Sequence, residues 1–271
     1  MLRDITIGQY FPGHSFIHKM DPRMKIIASV LYIVILFVAS RPLGLLLGIL
    51  MVVMMYMISK ISAKMVAKSL KPVVPIIIFT AVLNLFFMTG PSEPLVSFGF
   101  IHIYPEGVAM AVMMAVRIMC LIAGTSLLTY TTSPIELTDA IEVLMGPLKK
   151  VKVPVHEIAM MMSIALRFIP ILTEELEKIM KAQTARGIDF ESGGLLKRVK
   201  SMVPIIVPLF VAAIRRANDL AMAMESRCYH GGVGRTKLKP LKYEKRDKIA
   251  YIVLFVFLAV MIYLSFFSPW R

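Results

Sequence analysis

Apolar residues collect in long runs at 26–40, 42–58, 73–90 and 107–130, and once more from Ile249 to Phe267. Each run approaches the ~20 residues a helix needs to cross a hydrocarbon core, the first two being short enough to draw on their flanks. Arg41-Pro42 separates the first pair and predicts a tight turn at a membrane face. Trp270 and Arg271 follow the last run as interfacial anchors. Between 131 and 248 the pattern changes. That stretch holds 20 of the 31 basic and 13 of the 17 acidic residues, yet contains oily segments such as Val203 to Ala213. Long amphipathic helices on or in a membrane face fit the mixture.

Helix signals in this middle stretch are explicit. Ser133-Pro134-Ile135-Glu136 carries a Ser cap, a proline at the first helical position and a Glu three residues after the cap, both halves of a capping box. Gly146-Pro147 stops that helix, and Pro154 starts the next after Lys149, Lys150 and Lys152. The second helix is expected from about Val155 to Arg186, apolar first and amphipathic later, with Pro170 forcing an elbow. Gly187 fits the left-handed residue just past its end, and Arg186 suits the negative end of the helix dipole. A third helix repeats the plan after Lys197, Arg198 and Lys200: Pro204 to Pro208 is oily and kinked. Ala213, Ala217, Leu220, Ala221 and Met224 then recur at helical spacing until about Arg227.

The composition agrees and narrows the class. Of 271 residues, 58% are apolar and 18% charged, more oil than a soluble core of this size hides. A soluble globular enzyme and a disordered chain are both excluded as defaults. The charged minority is lopsided, with a formal net charge of +14. Lys60, Lys64, Lys68 and Lys71 occupy the loop 59–71, whereas 91–105 has no Lys or Arg, which puts the first loop in the cytoplasm and the second outside. The N-terminus, with Arg3, Lys19, Arg23 and Lys25, is then cytoplasmic as well. No cleavable export signal is visible in the first 25 residues. The expected organisation is an all-α polytopic membrane protein: residues 1–130 as a membrane bundle, 131–248 as a cytoplasmic domain of long kinked helices, and 249–271 as a final span.

Candidate chemistry is sparse. Cys120 and Cys228 lie in unlike surroundings, which argues against a disulfide or a cysteine metal site. His14, His18, His102, His156 and His230 show no metal-ligand spacing. Lys60, Lys64 and Lys68 recur every four residues, as one basic helix face toward anionic lipid would. Arg117 sits mid-span with no carboxylate in any span, so Asn84, backbone carbonyls or water are its candidate partners. A structural polar lock is preferred there over a substrate or gate contact. The 22 methionines serve either as adaptable packing or as a compliant docking surface. A membrane enzyme needs a nucleophile with its base, paired carboxylates or a metal at membrane depth, and the spans supply none. A nucleic-acid binder needs a solvent-facing basic patch, whereas these charges sit at the ends of oily helices.

Several motifs together carry a resemblance over nearly the whole chain. They are Gly8-Gln9-Tyr10-Phe11-Pro12-Gly13-His14-Ser15, His18-Lys19-Met20-Asp21-Pro22-Arg23, Ser133-Pro134, Leu166-Arg167-Phe168-Ile169-Pro170, Ala185-Arg186-Gly187 and Ala223-Met224-Glu225-Ser226-Arg227-Cys228-Tyr229. The set resembles the transmembrane T component of energy-coupling factor transporters, a family that includes the cobalt and nickel T components. The resemblance implies a scaffold in the prokaryotic cell membrane with no catalytic residues, no metal and no cofactor of its own. ATP and Mg would be bound by two cytoplasmic ATPase subunits, identical or different, and a small membrane S component would capture a vitamin or other micronutrient. A dedicated cobalt or nickel T component is the alternative within transport. The implied ATPase contacts fall on Ala185, Arg186 and Gly187 and on Ser226, Arg227 and Cys228. The second motif departs from Ala-Arg-Gly at both flanks, and a Cys lacks the easy left-handed conformation of Gly. Without the resemblance, either arginine reads as an ordinary favourable cation at a helix C-terminus.

Overall fold

A computed structural model describes residues 10–39, 41–90, 93, 96–98, 101–188, 190, 194–232 and 240–267. Gly8 and Gln9 of the opening motif, Arg3, and the anchors Trp270 and Arg271 lie outside the described residues. The chain forms α1 (Pro22–Val38), α2 (Pro42–Ser59), α3 (Ala63–Leu70), α4 (Val74–Phe87), α5 (Pro105–Thr131), α6 (Pro134–Leu144), α7 (Val155–Ala185), α8 (Leu195–Glu225) and α9 (Lys245–Phe267). Two short 3-10 turns, Lys71–Val73 and Gly146–Val151, precede α4 and α7.

Local signals explain most boundaries. Asp21 caps α1, its carboxylate accepting from the Arg23 amide at 2.9 Å, and Pro22 takes the first position. Arg41 stands in extended backbone before Pro42, the turn expected there. The capping box of α6 forms in both directions: the Glu136 amide donates to Ser133 Oγ and the Ser133 amide to the Glu136 carboxylate, each at 3.3 Å. Both long helices continue through their prolines, Pro170 in α7 and Pro204 and Pro208 in α8.

Two expectations change. Residues 63–70 are helix, as the lysine spacing implied, and the basic stretch before the third span is a short amphipathic segment running through a 3-10 turn into α4. Lys60 is not on that helix: it is the left-handed cap of α2, at φ 57°, so only Lys64 and Lys68 share α3. The segment before α5 contains a small antiparallel hairpin, β1 (Val96–Phe98) with β2 (Ile101–Ile103), pairing Val96 with Ile103. Apart from this ribbon the described elements are helical. Five helical stretches are long and apolar enough to cross a membrane: Pro42–Ser59, Ala63–Phe87, Pro105–Thr131, Val155–Ala185 and Lys245–Leu264. Helix α1, with 17 residues, reaches about 25 Å, the short end of the spanning range.

By packing, the chain divides into two units, Met1–Ala140 with Leu241–Arg271, and Ile141–Pro240. In the first unit α5 is the central helix, touching α1, α2, α3 and α4. Tyrosines rivet it to its neighbours. Tyr32 donates to the Cys120 carbonyl at 3.3 Å, Tyr56 to the Ala123 carbonyl at 2.8 Å, and Tyr130 to the Met65 carbonyl at 3.1 Å. A Cβ on Gly124 would collide with the Tyr32 ring, and one on Gly107 would press on the Asn84 carbonyl at 3.1 Å. Small residues at these positions let the helices close without a hydrophobic drive between them, as lipid-embedded packing requires. Helix α9 lies against α1 and α2, burying Leu254 and Met261 with Met24, Ile35 and Leu36. The second unit is built on the pair α7 and α8.

Candidate functional site

The last turns of α7 and α8 end in the same way. At the end of α7 the Gly187 amide donates to the Thr184 carbonyl at 3.0 Å and the Ile188 amide to the Gln183 carbonyl at 3.1 Å, with Gly187 at φ 86°. At the end of α8 the Cys228 amide donates to the Glu225 carbonyl at 2.8 Å and the Tyr229 amide to the Met224 carbonyl at 3.1 Å, with Cys228 at φ 54°. Each is a Schellman closure, with 5→2 and 6→1 bonds satisfying carbonyls that the helix leaves orphaned. In both, the arginine is the residue immediately before the left-handed one. Cys228 therefore does adopt the conformation that Gly187 takes easily, because the two closing hydrogen bonds hold it there.

Residues 185–187 and 226–228 are all exposed. Neither Arg186 nor Arg227 has an ion pair among the described residues. Each presents its guanidinium beside the negative end of a helix, a fork of donors open to a carboxylate or to carbonyls.

The packing of α7 on α8 decides where these two ends lie. Arg216 donates to the Glu175 carboxylate at 3.2 Å and Gln183 Nε2 to the Pro204 carbonyl at 3.2 Å, so residues later in α7 meet residues earlier in α8. The helices are antiparallel. Arg186 and Arg227 thus point out of opposite ends of the pair, separated by about two dozen residues of register, on the order of 35 Å along the axis. The Gln183 bond has a sequence cause. Pro208 has no N–H to offer the Pro204 carbonyl, and Gln183 supplies the missing donor one turn before Arg186.

Arg117 and Asn84 are not brought together. Arg117 donates from Nη2 to the Ala39 carbonyl at 2.6 Å, and Asn84 Nδ2 donates to the Thr80 carbonyl of its own helix at 2.8 Å. Ala39 is the C-cap of α1, its own amide donating back to Ile35. The half-buried guanidinium therefore serves the negative end of α1 from the middle of α5. Its Nε, itself buried, has no hydrogen-bond partner among the described residues.

One constellation was invisible in the sequence. Asp21, Lys25 and Asp247 are all buried at one end of the first unit. Asp247 accepts from the Asp21 amide at 2.9 Å and the Glu244 amide at 2.8 Å, and Lys25 donates to the Thr131 and His18 carbonyls at 2.8 and 3.1 Å. Arg23 pairs with Asp21 at 2.7 Å and lies 4.0 Å over the Tyr243 ring. This clasp ties the start of α1 to the end of α5 and the start of α9. From the sequence Lys25 reads only as a topology charge, and Arg23 as that and as the last residue of the His18–Arg23 motif; the one local signal is Asp21-Pro22, a cap followed by a first-turn proline. Beside the clasp, burial holds His18 below its ordinary value despite a contact with the Phe11 carbonyl. Cys120 is buried, Cys228 exposed, and both are free thiols.

Residues 13–238 match the family described as cobalt transport protein (CbiQ). The chain is 53% identical over 262 residues to the energy-coupling factor transporter transmembrane protein EcfT of Clostridium kluyveri, covering 97% of both chains. It is 48% identical to that of Ruminiclostridium cellulolyticum, covering 98% of this chain and 99% of the relative. To that of Bacillus subtilis it is 44% identical, covering 97% and 99%. The chain belongs to the EcfT family. It is a transmembrane component of an energy-coupling factor transporter, and its polytopic helical fold is that of a membrane protein. The EcfT relatives match over nearly their whole length, so the twin helix ends lie inside the shared sequence.

Proposed function

We propose that this EcfT-family chain is the coupling scaffold of an importer: it binds two cytoplasmic ATPase subunits through Arg186 and Arg227 and passes their ATP-driven motion to a membrane S component that carries a vitamin or other micronutrient. It performs no catalysis itself, and ATP and Mg belong to the ATPases. The observation that carries the reading is the pair of arginines in matched Schellman ends at opposite ends of one antiparallel helix pair. Two equivalent exposed contacts, tens of ångströms apart, are what a dimer of ATPases requires. Because one contact sits on α7 and the other on α8, a change in the spacing of the ATPases moves one helix against the other. The cobalt transport description of the matching family favours, as a second reading, a dedicated cobalt or nickel T component; the substrate specificity encoded beside this gene separates the two.

In this reading residues 131–248 lie on the cytoplasmic side with the N-terminus, α7 running along the membrane face rather than crossing it, and the apolar outer faces of α2, α4 and α9 contact lipid. Arg117 is a structural lock rather than a substrate contact. Arg186→Glu combined with Arg227→Glu is expected to abolish copurification of the ATPases and substrate uptake while the chain still inserts and elutes as a monodisperse species. Wild-type uptake by the double variant would overturn the reading.

A further inference from the structure

Beside the α8 end, the second unit carries an open groove of about 630 Å³ between the first half of α7 and the last turn of α8. Its floor is apolar, with Ile164 from α7 and Leu220 and Met224 from α8, and its rim carries Arg167, Arg227 and His230. No carboxylate lines it among the described residues. Arg167 comes from the Leu166-Arg167-Phe168-Ile169-Pro170 stretch in the first half of α7. It is exposed and, like Arg227, makes no ion pair among the described residues.

With two guanidiniums and no carboxylate among its described lining residues, the groove is complementary to negative charge. The floor limits what that anion is. A small inorganic ion occupies little more than a few waters' worth of space, each about 30 Å³, and would leave the aliphatic floor wet. An acidic side chain on a segment that also brings aliphatic side chains satisfies both parts. Planar forks of fixed donors suit a carboxylate shared between two arginines.

We infer that this groove receives an acidic, aliphatic-faced segment of the ATPase subunit engaged at the α8 end, its carboxylate held jointly by Arg167 and Arg227. The inference rests on the coupling reading above and adds to it a second cation, contributed by the other helix. At the α8 end the ATPase then grips α7 as well as α8, so its displacement is delivered to both helices at once.

Cys228 lines the same groove and is an exposed free thiol, whereas Cys120 is buried, which makes Cys228 a built-in reporter. The test measures the rate of its modification by a charged maleimide, by peptide mass spectrometry. The isolated chain in detergent is compared with the same chain in phosphatidylglycerol nanodiscs and in the assembled complex with ATPases and S component. Assembly is expected to slow modification about tenfold or more. Arg167→Glu should remove most of that protection and lower the salt concentration at which the ATPases dissociate, while Arg167→Lys keeps much of both. If Arg167→Glu lowers the melting temperature of the isolated chain, Arg167→Gln takes its place. Full protection and wild-type salt tolerance in the Arg167 variants would overturn the inference. Protection by the anionic nanodisc alone would also overturn it, making the occupant a lipid. The Arg186→Glu, Arg227→Glu double variant separates the levels. If it loses the ATPases while Arg167→Glu does not, only the groove assignment fails; if it keeps them, the coupling reading itself fails.

Discussion

At the scale of single residues, position within the packing matters more than residue type. Arg117, Lys25 and Arg186 are all basic, yet one caps a helix from inside the bundle, one is buried in a clasp, and one is exposed at a helix end. The apolar runs read from the sequence hold no carboxylate for Arg117, and a backbone carbonyl was among its expected partners. It could not show that the carbonyl is that of Ala39, because the meeting of α1 and α5 is set by packing across 78 residues. Arg117→Leu leaves that carbonyl without its donor and is expected to cost about 1–3 kcal/mol of stability. Arg117→Lys, which can still donate, should recover part of it. Thermal unfolding in detergent reads the difference. Transport that falls in step with stability supports the lock, whereas loss of transport at unchanged stability points to a gate.

At the scale of elements, the helix ends were legible where the code is local. The capping box at Ser133 and Gly187 after Arg186 were both readable, because each depends on residues within one turn. The end of α8 was harder, since Cys228 gives no propensity signal for a left-handed position and only the closing hydrogen bonds reveal it. Nothing touches the space where a Cβ on Gly187 would go, so the cost of a side chain there is purely conformational. Gly187→Cys is therefore expected to destabilise the protein by about 1 kcal/mol and Cys228→Gly to stabilise it by a similar or smaller amount. Melting temperatures of the two purified variants should move in opposite directions; a shift of the same sign would contradict the conformational account. The prolines of α8 were also only half legible. Their effect on backbone hydrogen bonding was evident, but not that Gln183 of α7 would supply the donor that Pro208 lacks.

At the scale of the whole molecule, the clasp makes α9 part of the N-terminal unit despite a separation of 226 residues between Asp21 and Asp247. Removing residues 241–271 would expose the α1 face that Leu254 and Met261 cover and would strip Asp247 from the Asp21 amide. The truncated chain is expected to fail to accumulate as a monodisperse species in size-exclusion chromatography. A wild-type elution profile would show the clasp to be dispensable. The amino-acid sequence by itself determined that this is a helical membrane protein with two long amphipathic helices ending in arginine. Apolar run length, proline placement and capping chemistry are local properties that no partner element needs to complete. Only the tertiary structure decided that those helices are antiparallel, that their arginines leave from opposite ends, and that Arg167 joins Arg227 at one groove. Helix pairing depends on which side chains interlock over long sequence separations, and periodicity along a single chain contains no record of which faces meet.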